Sequence, residues 1–474
     1  MNPAIFGFLA YLLLMMLVGL LTYRANKSDK DFFLAGRKLG AWVVAFSERA
    51  SAESAWLLLG LPGAAYASGL LEFWTALGCV LGILLYWTFI AKDLRIESEK
   101  VKAITIPNFF AEKFAEGKSH IRILATVIIV FFYVMYLAAQ IAGAGKVFFV
   151  TFELPQTTGM LIGAGVVIFY TMMGGFLAVA WTDLIQGIIM IGVLVILPVV
   201  GFIELSEQNI NITESLSSIG GGFTSHVGGK TGWAAIAVII GGLSWILGFI
   251  GQPHLLTRFM SIRDPQKIKI GRRIAIAWSI PAYSGAIIIG LIGMALYGQG
   301  AFTDVEEIMP YMATTLLPAW IAGVFICGAI AAMMSTADSQ LLVVTSSVME
   351  DFYKKTLGRK IRQKILVNRS RIITTIVGII ALVLALTTER GVFKLVSYAW
   401  SGLGASFGPG LLLLLKWKKT TWQGVIAGMY TGFLSTILWS EFKFLDEAIS
   451  TRFTSFVFAF IAVIIVSLIT RKKE

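Results

Sequence analysis

The sequence predicts an all-α polytopic membrane protein with about 13 transmembrane helices, on three observations. Its 474 residues are 57% hydrophobic and only 14% charged, with a mean hydropathy of +0.81. Soluble domains carry about 25% charged residues. The apolar residues gather in thirteen runs, and roughly 20 residues suffice to cross about 30 Å of hydrocarbon. Basic residues crowd into alternate connections. A water-soluble enzyme and a disordered or nucleic-acid-binding chain are thereby excluded. The 48 Gly against 11 Pro suit packed membrane helices, where small residues let backbones approach. Cys79 and Cys327 lie in apolar runs, which argues against a disulfide framework, and the three histidines lack zinc-like spacing.

The first span, 4–23, has no basic segment before it and no small-residue cleavage site, and Arg24 and Lys27 follow it. It reads as a retained helix and not a signal peptide. The others are expected at 41–66, 70–91, 121–148, 157–176, 179–205, 232–252, 272–297, 315–348, 370–388, 393–415, 421–440 and 453–470. Of the 39 Lys and Arg, 32 fall in the alternate segments 24–38, 92–122, 254–273, 351–371, 416–419 and 471–473. The opposite connections hold acids: Asp304, Glu306, Glu307, Glu441 and Asp446. By the positive-inside rule the N-terminus is outside and the C-terminus cytoplasmic, as an odd number of spans requires. The net charge of +12 is thus topological and needs no nucleic acid. The longest external loop, 204–231, carries Gly220, Gly221, Gly222, Gly228 and Gly229. No connection is long enough for a soluble domain, so 1–474 reads as a single membrane transporter domain. No phosphate-binding GxxxxGKS/T occurs, so ATP hydrolysis within the chain does not drive it.

Polar residues inside the spans must therefore carry the function. The second span reads AWVVAFSERASAESAWLLLGLPGAAYASG. A central charge such as Glu48, Arg49 or Glu53 costs about 2.5–3.5 kcal/mol in hydrocarbon, so these groups face protein or a wet cavity. Arg49 and Glu53, four apart, would pair on one face of an unbroken helix. Alternatively the helix is unwound at 50–54 and its freed carbonyls hold a cation. The small residues there, followed by Gly60, Pro62 and Gly63, favour a break. Both readings stand at this point.

The seventh span contains GGLSWILGFIGQPH, a second interrupted helix five spans after the first. Interruptions at corresponding places in two halves point to an inverted-repeat transporter with its site at the midplane. The repeats would be 41–205 and 232–415, with 4–23 an extra N-terminal helix and 421–470 two C-terminal helices. The ninth span carries Ser335, Thr336, Asp338 and Ser339 within five residues. An isolated hydroxyl in a helix usually back-bonds to its own turn. Adjacent hydroxyls plus a carboxylate, with no sulfur ligand or imidazole near, suit a hard cation such as Na+. Asp183, near the start of the sixth span, is either a solvated helix-start carboxylate or a buried ligand. Trp42 and Trp417 read as interfacial belt residues.

Four segments, SAWLLLGLPGAAYASG (54–69), GGFLAVAWTDLIQ (174–186), FIGQPHLLTRFM (249–260) and AAMMSTADSQLL (331–342), resemble the sodium/solute symporter family, and within it the proline branch. The likeness runs from about Phe32 to the end of the ninth span and weakens in the last four. It implies a leucine-transporter-like five-plus-five inverted-repeat core and Na+-driven alternating access. The main sodium site would join backbone oxygens of Ala50 and Glu53 with the Ala332 carbonyl and the Ser335 and Thr336 hydroxyls. A second sodium site, found in some members, would use Asp183, Asp338 and Ser339 with Ser335. Substrate positions of the branch map to Ser54, Trp56, Tyr136 and Trp245, with Phe249 where the branch has Tyr. Two further departures are Ala52 in place of an Asp, and Glu48 and Arg49 in place of small residues. Glu53 stands one residue from the Asp position, about 100° away around a helix.

The resemblance thus implies a symporter in the cell membrane, with Na+ and a proline-like solute as its partners and no obligatory protein partner or transition metal. L-proline or a related amino acid is the expected solute. Another small carboxylate or a sugar-type solute is the alternative on the same fold. A solute sensor without uphill flux, and H+ coupling through Glu48, Glu53 or Asp338, are the competing classes. An enzyme is the least expected class, because no nucleophile–base pair or metal cluster emerges.

Overall fold

Helices stand where each span is expected: α1 (Pro3–Tyr23), α2 (Ala41–Ala55, continuing through a wide turn Trp56–Gly60 into Leu61–Ser68), α3 (Phe73–Phe89), α4 (Lys118–Phe152), α5 (Gln156–Met173), α6 (Phe176–Glu207), α7 (Gly232–Leu243 and Trp245–Ile250), α8 (Ile268–Tyr297), α9 (Ala319–Ser346), α10 (Gln363–Thr387), α11 (Val392–Lys416), α12 (Trp422–Glu441) and α13 (Thr451–Thr470). The computed structural model describes residues 3–23, 33–173, 175–220, 222–359 and 363–471. Among the residues invoked above, Arg24, Lys27, Lys30, Phe32, Gly174, Gly221, Lys360, Arg362, Lys472 and Lys473 lie outside the described residues. Nine segments among the described residues are long and apolar enough to cross a membrane, with α2 and α3 taken together as Ala41–Phe89. Ile5–Val18 and Gln156–Met172 are shorter apolar helices.

The connections hold more structure than their polar composition announces. Between α3 and α4 lie the helices Ala91–Lys100 and Ile106–Glu112. The second starts where Thr105 Oγ1 accepts the Asn108 N–H, as an N-cap should, with Pro107 in the first turn. Between α8 and α9 runs Ile308–Leu316. The largest departure from expectation follows α7. Residues from 254 onward read as a basic connection, yet Pro253–Ser261 is a helix buried at every position. Leu255, Leu256, Phe259 and Met260 seat it in the core. The connection proper begins only after Ser261.

Small residues set how closely the helices approach. An ideal Cβ on Gly285 of α8 would lie 1.8 Å from the Leu194 carbonyl oxygen of α6. One on Gly251 would lie 2.5 Å from Leu403 O of α11. These contacts need glycine because the opposing atoms are backbone and cannot step aside. α2 lies against α6, α8 and α9. Its start is tied to the end of Pro253–Ser261 by a parallel bridge between Leu39 and Ile262.

Candidate functional site

α2 breaks at Ser54, whose φ of 54° and ψ of −169° are non-helical. Such a conformation costs a non-glycine residue about 1–3 kcal/mol and persists only where its surroundings enforce it. Here the freed Ala55 N–H donates to Gln140 Oε1 of α4 at 3.0 Å, and the Trp56 N–H to Ser54 Oγ at 3.1 Å. The interruption thus falls at the end of the stretch where it was expected. α7 breaks at Gln252, with φ −86° and ψ 103°. Its side-chain amide donates to the Gly248 and Trp400 carbonyls at 3.2 and 3.4 Å, and Pro253, which has no N–H to lose, opens the following helix.

Against the break in α2 stands the polar run of α9. Ser335 Oγ lies 3.0 Å from both the Ala50 and the Ala332 carbonyl oxygens. Thr336 Oγ1 donates to Ser51 O at 3.0 Å. Four of the residues expected at one cation site are therefore adjacent. The fifth, Glu53, has its carbonyl directed to the Trp56 N–H. Ser51 O is also faced by His254 Nε2 at 3.2 Å. Since a carbonyl only accepts, Nε2 carries the proton and Nδ1 accepts from Tyr133 OH at 2.8 Å.

Beyond the break, aromatic rings pack into a cluster. The Trp56 and Trp245 ring centroids are 4.5 Å apart, with Trp400 5.7 Å from Trp245 and Phe393 5.7 Å from Trp56. Tyr136 OH reaches toward Ala52 O at 3.5 Å. Phe249 lies one turn from Trp245, 4.6 Å from Trp400 and 5.6 Å from Tyr86. The indole N–H groups of Trp56 and Trp245, the Gln140 amide nitrogen and Gln252 Oε1 are buried without a protein partner. Buried polar groups in native proteins are nearly always satisfied, so this cluster is equipped to bind a polar ligand. Apolar walls with a few unpartnered donors and an acceptor suit a small ring with charged ends.

The charges of α2 border that cluster: Arg49 Cζ lies 5.7 Å from the Phe249 ring centroid, and the ring of Tyr283, which bonds to Glu53, lies 6.1 Å from that of Trp56. Arg49 Nε donates to Glu48 Oε2 at 2.7 Å, Nη1 to Glu53 Oε1 at 2.6 Å, and Nη2 to Tyr86 OH at 2.9 Å. Tyr283 OH donates to Glu53 Oε2 at 2.5 Å, and Trp87 Nε1 to Glu48 Oε2 at 3.0 Å. The ion pair and the break therefore coexist. Arg49, held by two carboxylates among α2, α3 and α8, is spent on joining helices.

A second charged cluster involves a residue the sequence reading counted only as a loop cation. Asp183 lies two turns inside α6 and is fully buried, which overturns the solvated helix-start alternative. Its Oδ2 accepts from Ser47 Oγ at 2.6 Å and from Arg258 Nη2 at 2.7 Å. Ser339 Oγ is 2.7 Å from Arg258 Nη2 and 3.2 Å from Asp338 Oδ1. Arg258, in the helix that follows the α7 break, is thus the hub of this cluster. Its one sequence signal was its place in FIGQPHLLTRFM, among residues that pack. Gln140, Gln252, Ser51 and Trp400 were likewise missed. Gln140 was legible as a lone amide in an apolar run, whereas Trp400 follows no pattern.

Three comparisons bear on this site. A family model described as the sodium:solute symporter family matches residues 32–432. The sodium/proline symporter of Escherichia coli (strain K12) is 36% identical, covering 99% of this chain and 93% of its own. The high-affinity proline transporter of Bacillus subtilis (strain 168) is 38% identical, covering 96% of each. Among solved structures, a Na+-coupled sialic acid symporter in a substrate-bound outward-open state superposes with a TM-score of 0.79 at 18% identity, over 100% of this chain and 99% of the other. A nucleobase-cation-symport-1 family transporter in a closed conformation gives 0.56 at 14% identity, over 92% of both chains. At these identities the likeness is one of fold, the leucine-transporter-like arrangement.

Proposed function

The chain belongs to the sodium:solute symporter family, a multi-pass membrane transporter and not an enzyme, and on that premise we propose that it imports L-proline or a closely related amino acid together with Na+. The observation that carries this reading is the meeting of the Ser335 and Thr336 hydroxyls with the carbonyls of the broken helix, 3.0 Å away, beside an aromatic cluster with unpartnered donors. In this reading Ala50, Glu53, Ala332, Ser335 and Thr336 supply hard oxygen ligands for Na+ as cargo. Asp183, Asp338 and Ser339 form a second cation shell with Ser335. Ser54, Trp56, Tyr136, Trp245 and Phe249 line the solute slot, with Gln140 and Gln252 added at its two broken helices. The two five-helix repeats span 41–205 and 232–415, and one Na+ shell lies between them.

The energetics suffice. A potential of about 100 mV is worth about 2.3 kcal/mol per charge, and a tenfold Na+ gradient adds about 1.4 kcal/mol. One ion per cycle then sustains an accumulation of roughly 500-fold.

Proline is supported by the names of the relatives quoted above, at 36% and 38% identity. Uptake of labelled L-proline into proteoliposomes tests it, under an inward Na+ gradient and under a pH gradient of equal size. Accumulation driven by Na+ alone is the expected result. Na+-driven flux of another solute without proline flux would reassign the substrate to a different small carboxylate or sugar. Saturable binding with no uphill flux of any solute would make the chain a sensor.

A further inference from the structure

The second cation shell of this reading already holds a positive charge that belongs to the chain. Arg258 Nη2 carries two hydrogens, as any guanidinium NH2 does. Yet three side-chain oxygens converge on it: Asp183 Oδ2 and Ser339 Oγ, both at 2.7 Å, and Ser51 Oγ. Two hydrogens cannot make three linear bonds. One carboxylate and two hydroxyls around a single nitrogen are instead arranged as ligands surround an ion, and they are the hard oxygen set that Na+ would take. The rest of the guanidinium is anchored. Nε donates to Ser47 Oγ at 2.8 Å and Nη1 to the His254 carbonyl at 2.7 Å. Phe176 lies beneath it, with its ring centroid 5.7 Å from Cζ. The side chain is 1% exposed.

The shell is also wired to the main one. Ser51 contributes Oγ to the Arg258 cluster and its carbonyl to Thr336. Ser51 Oγ is further 2.9 Å from Ser335 O. A free cation entering the second shell would meet the guanidinium at its centre, and two positive charges within one low-dielectric shell repel strongly.

We propose that Arg258 is the resident, non-transported cation of the Asp183–Ser339 shell, so that this chain binds and moves a single Na+. The proposal rests on the Na+-symport reading. It makes Arg258 a determinant of coupling stoichiometry: a charge tied to the backbone balances Asp183 and cannot be released to the other side.

The test is the number of 22Na+ ions bound per purified full-length chain in detergent at saturation, without solute. The wild type is expected to bind one. Arg258→Ala is expected to bind two, because the three oxygens lose their cation, and Arg258→Ala with Asp183→Asn is expected to return to one. Two ions on the wild type would overturn the proposal, as would one ion on an Arg258→Ala protein that elutes as a folded monodisperse peak. The wild-type count needs no variant, so the proposal stays exposed even if Arg258→Ala fails to fold. A folded wild type with no saturable Na+ binding would bring down the symport reading itself and this proposal with it, an outcome distinct from a count of two.

Discussion

Arg49 shows at the scale of one residue how a membrane interior tolerates charge. It sits between Glu48 and Glu53, and all three are at most 1% exposed. Two carboxylates and one guanidinium survive there because nearly every oxygen and N–H has a partner: Tyr86, Trp87 and Tyr283 complete the set. Removing the cation leaves two acids facing each other, so Arg49→Ala should destabilise the protein by about 3–5 kcal/mol. Adding Glu53→Gln should recover part of that loss. Thermal unfolding of the purified variants measures both, and a double variant at the sum of the two single losses would show that the residues are uncoupled. The pairing of Arg49 with Glu53 was legible from their spacing of four. That the pair is held by Tyr86 of α3 and Tyr283 of α8, with Arg49 against the Phe249 ring, was not, because spacing fixes a helix face and says nothing of what that face meets.

At the scale of elements, two broken helices and one polar helix make the site. Each break is held open from outside: Gln140 of α4 satisfies Ala55 N–H, and Gln252 bonds to the Trp400 carbonyl of α11. Helix approach depends on glycine in the same specific way. Gly285→Val should shift α8 away from α6, since the Leu194 carbonyl already occupies the space of a Cβ. Its melting temperature and yield in the membrane should fall clearly below wild type. Gly192→Ala in α6, with nothing within 4 Å of the added Cβ, should melt like wild type. Equal melting of the two variants would show that the α6–α8 contact is not close-packed.

At the scale of the molecule, charges close the site from two ends. Along α4, Tyr133 stands by His254, Tyr136 and Gln140 by the α2 break, and Lys146 beyond it. From Tyr133 to Lys146 is roughly 20 Å at 1.5 Å per residue. The Arg258 cluster closes one end. At the other, Lys146 pairs with Asp304 at 2.6 Å and with Glu306. Glu306 in turn accepts the Val392 and Phe393 N–H groups at the start of α11, at 2.9 and 2.8 Å. Phe393 belongs to the aromatic wall, so this latch ties the α8–α9 connection to the roof of the slot. Glu306→Gln weakens it by removing a charge and one acceptor. A loss of about 1.4 kcal/mol is within the range for such a bond and corresponds to about tenfold faster hydrogen exchange of the amides at 391–393. Unchanged exchange there would mean that the roof is held by packing alone.

The sequence by itself determined the all-α membrane class and the approximate place of the helices. It also pointed to an interruption in α7 and to the hydroxyl pair on α9, and offered a break in α2 as one of two readings. These are local signals: apolar run length, small residues beside Gly and Pro, and hydroxyls where hydrocarbon should be. Tertiary structure alone decided that Pro253–Ser261 is core and not loop. It also decided that Gln140 reaches the broken helix and that Arg258 stands among Ser51, Asp183 and Ser339. Those residues are separated by 75 to 207 positions from Arg258 in the chain. A lone Arg in a basic stretch reads as a surface charge until folding brings its counter-charges to it, and no periodicity along one helix encodes which side chain of another will face it.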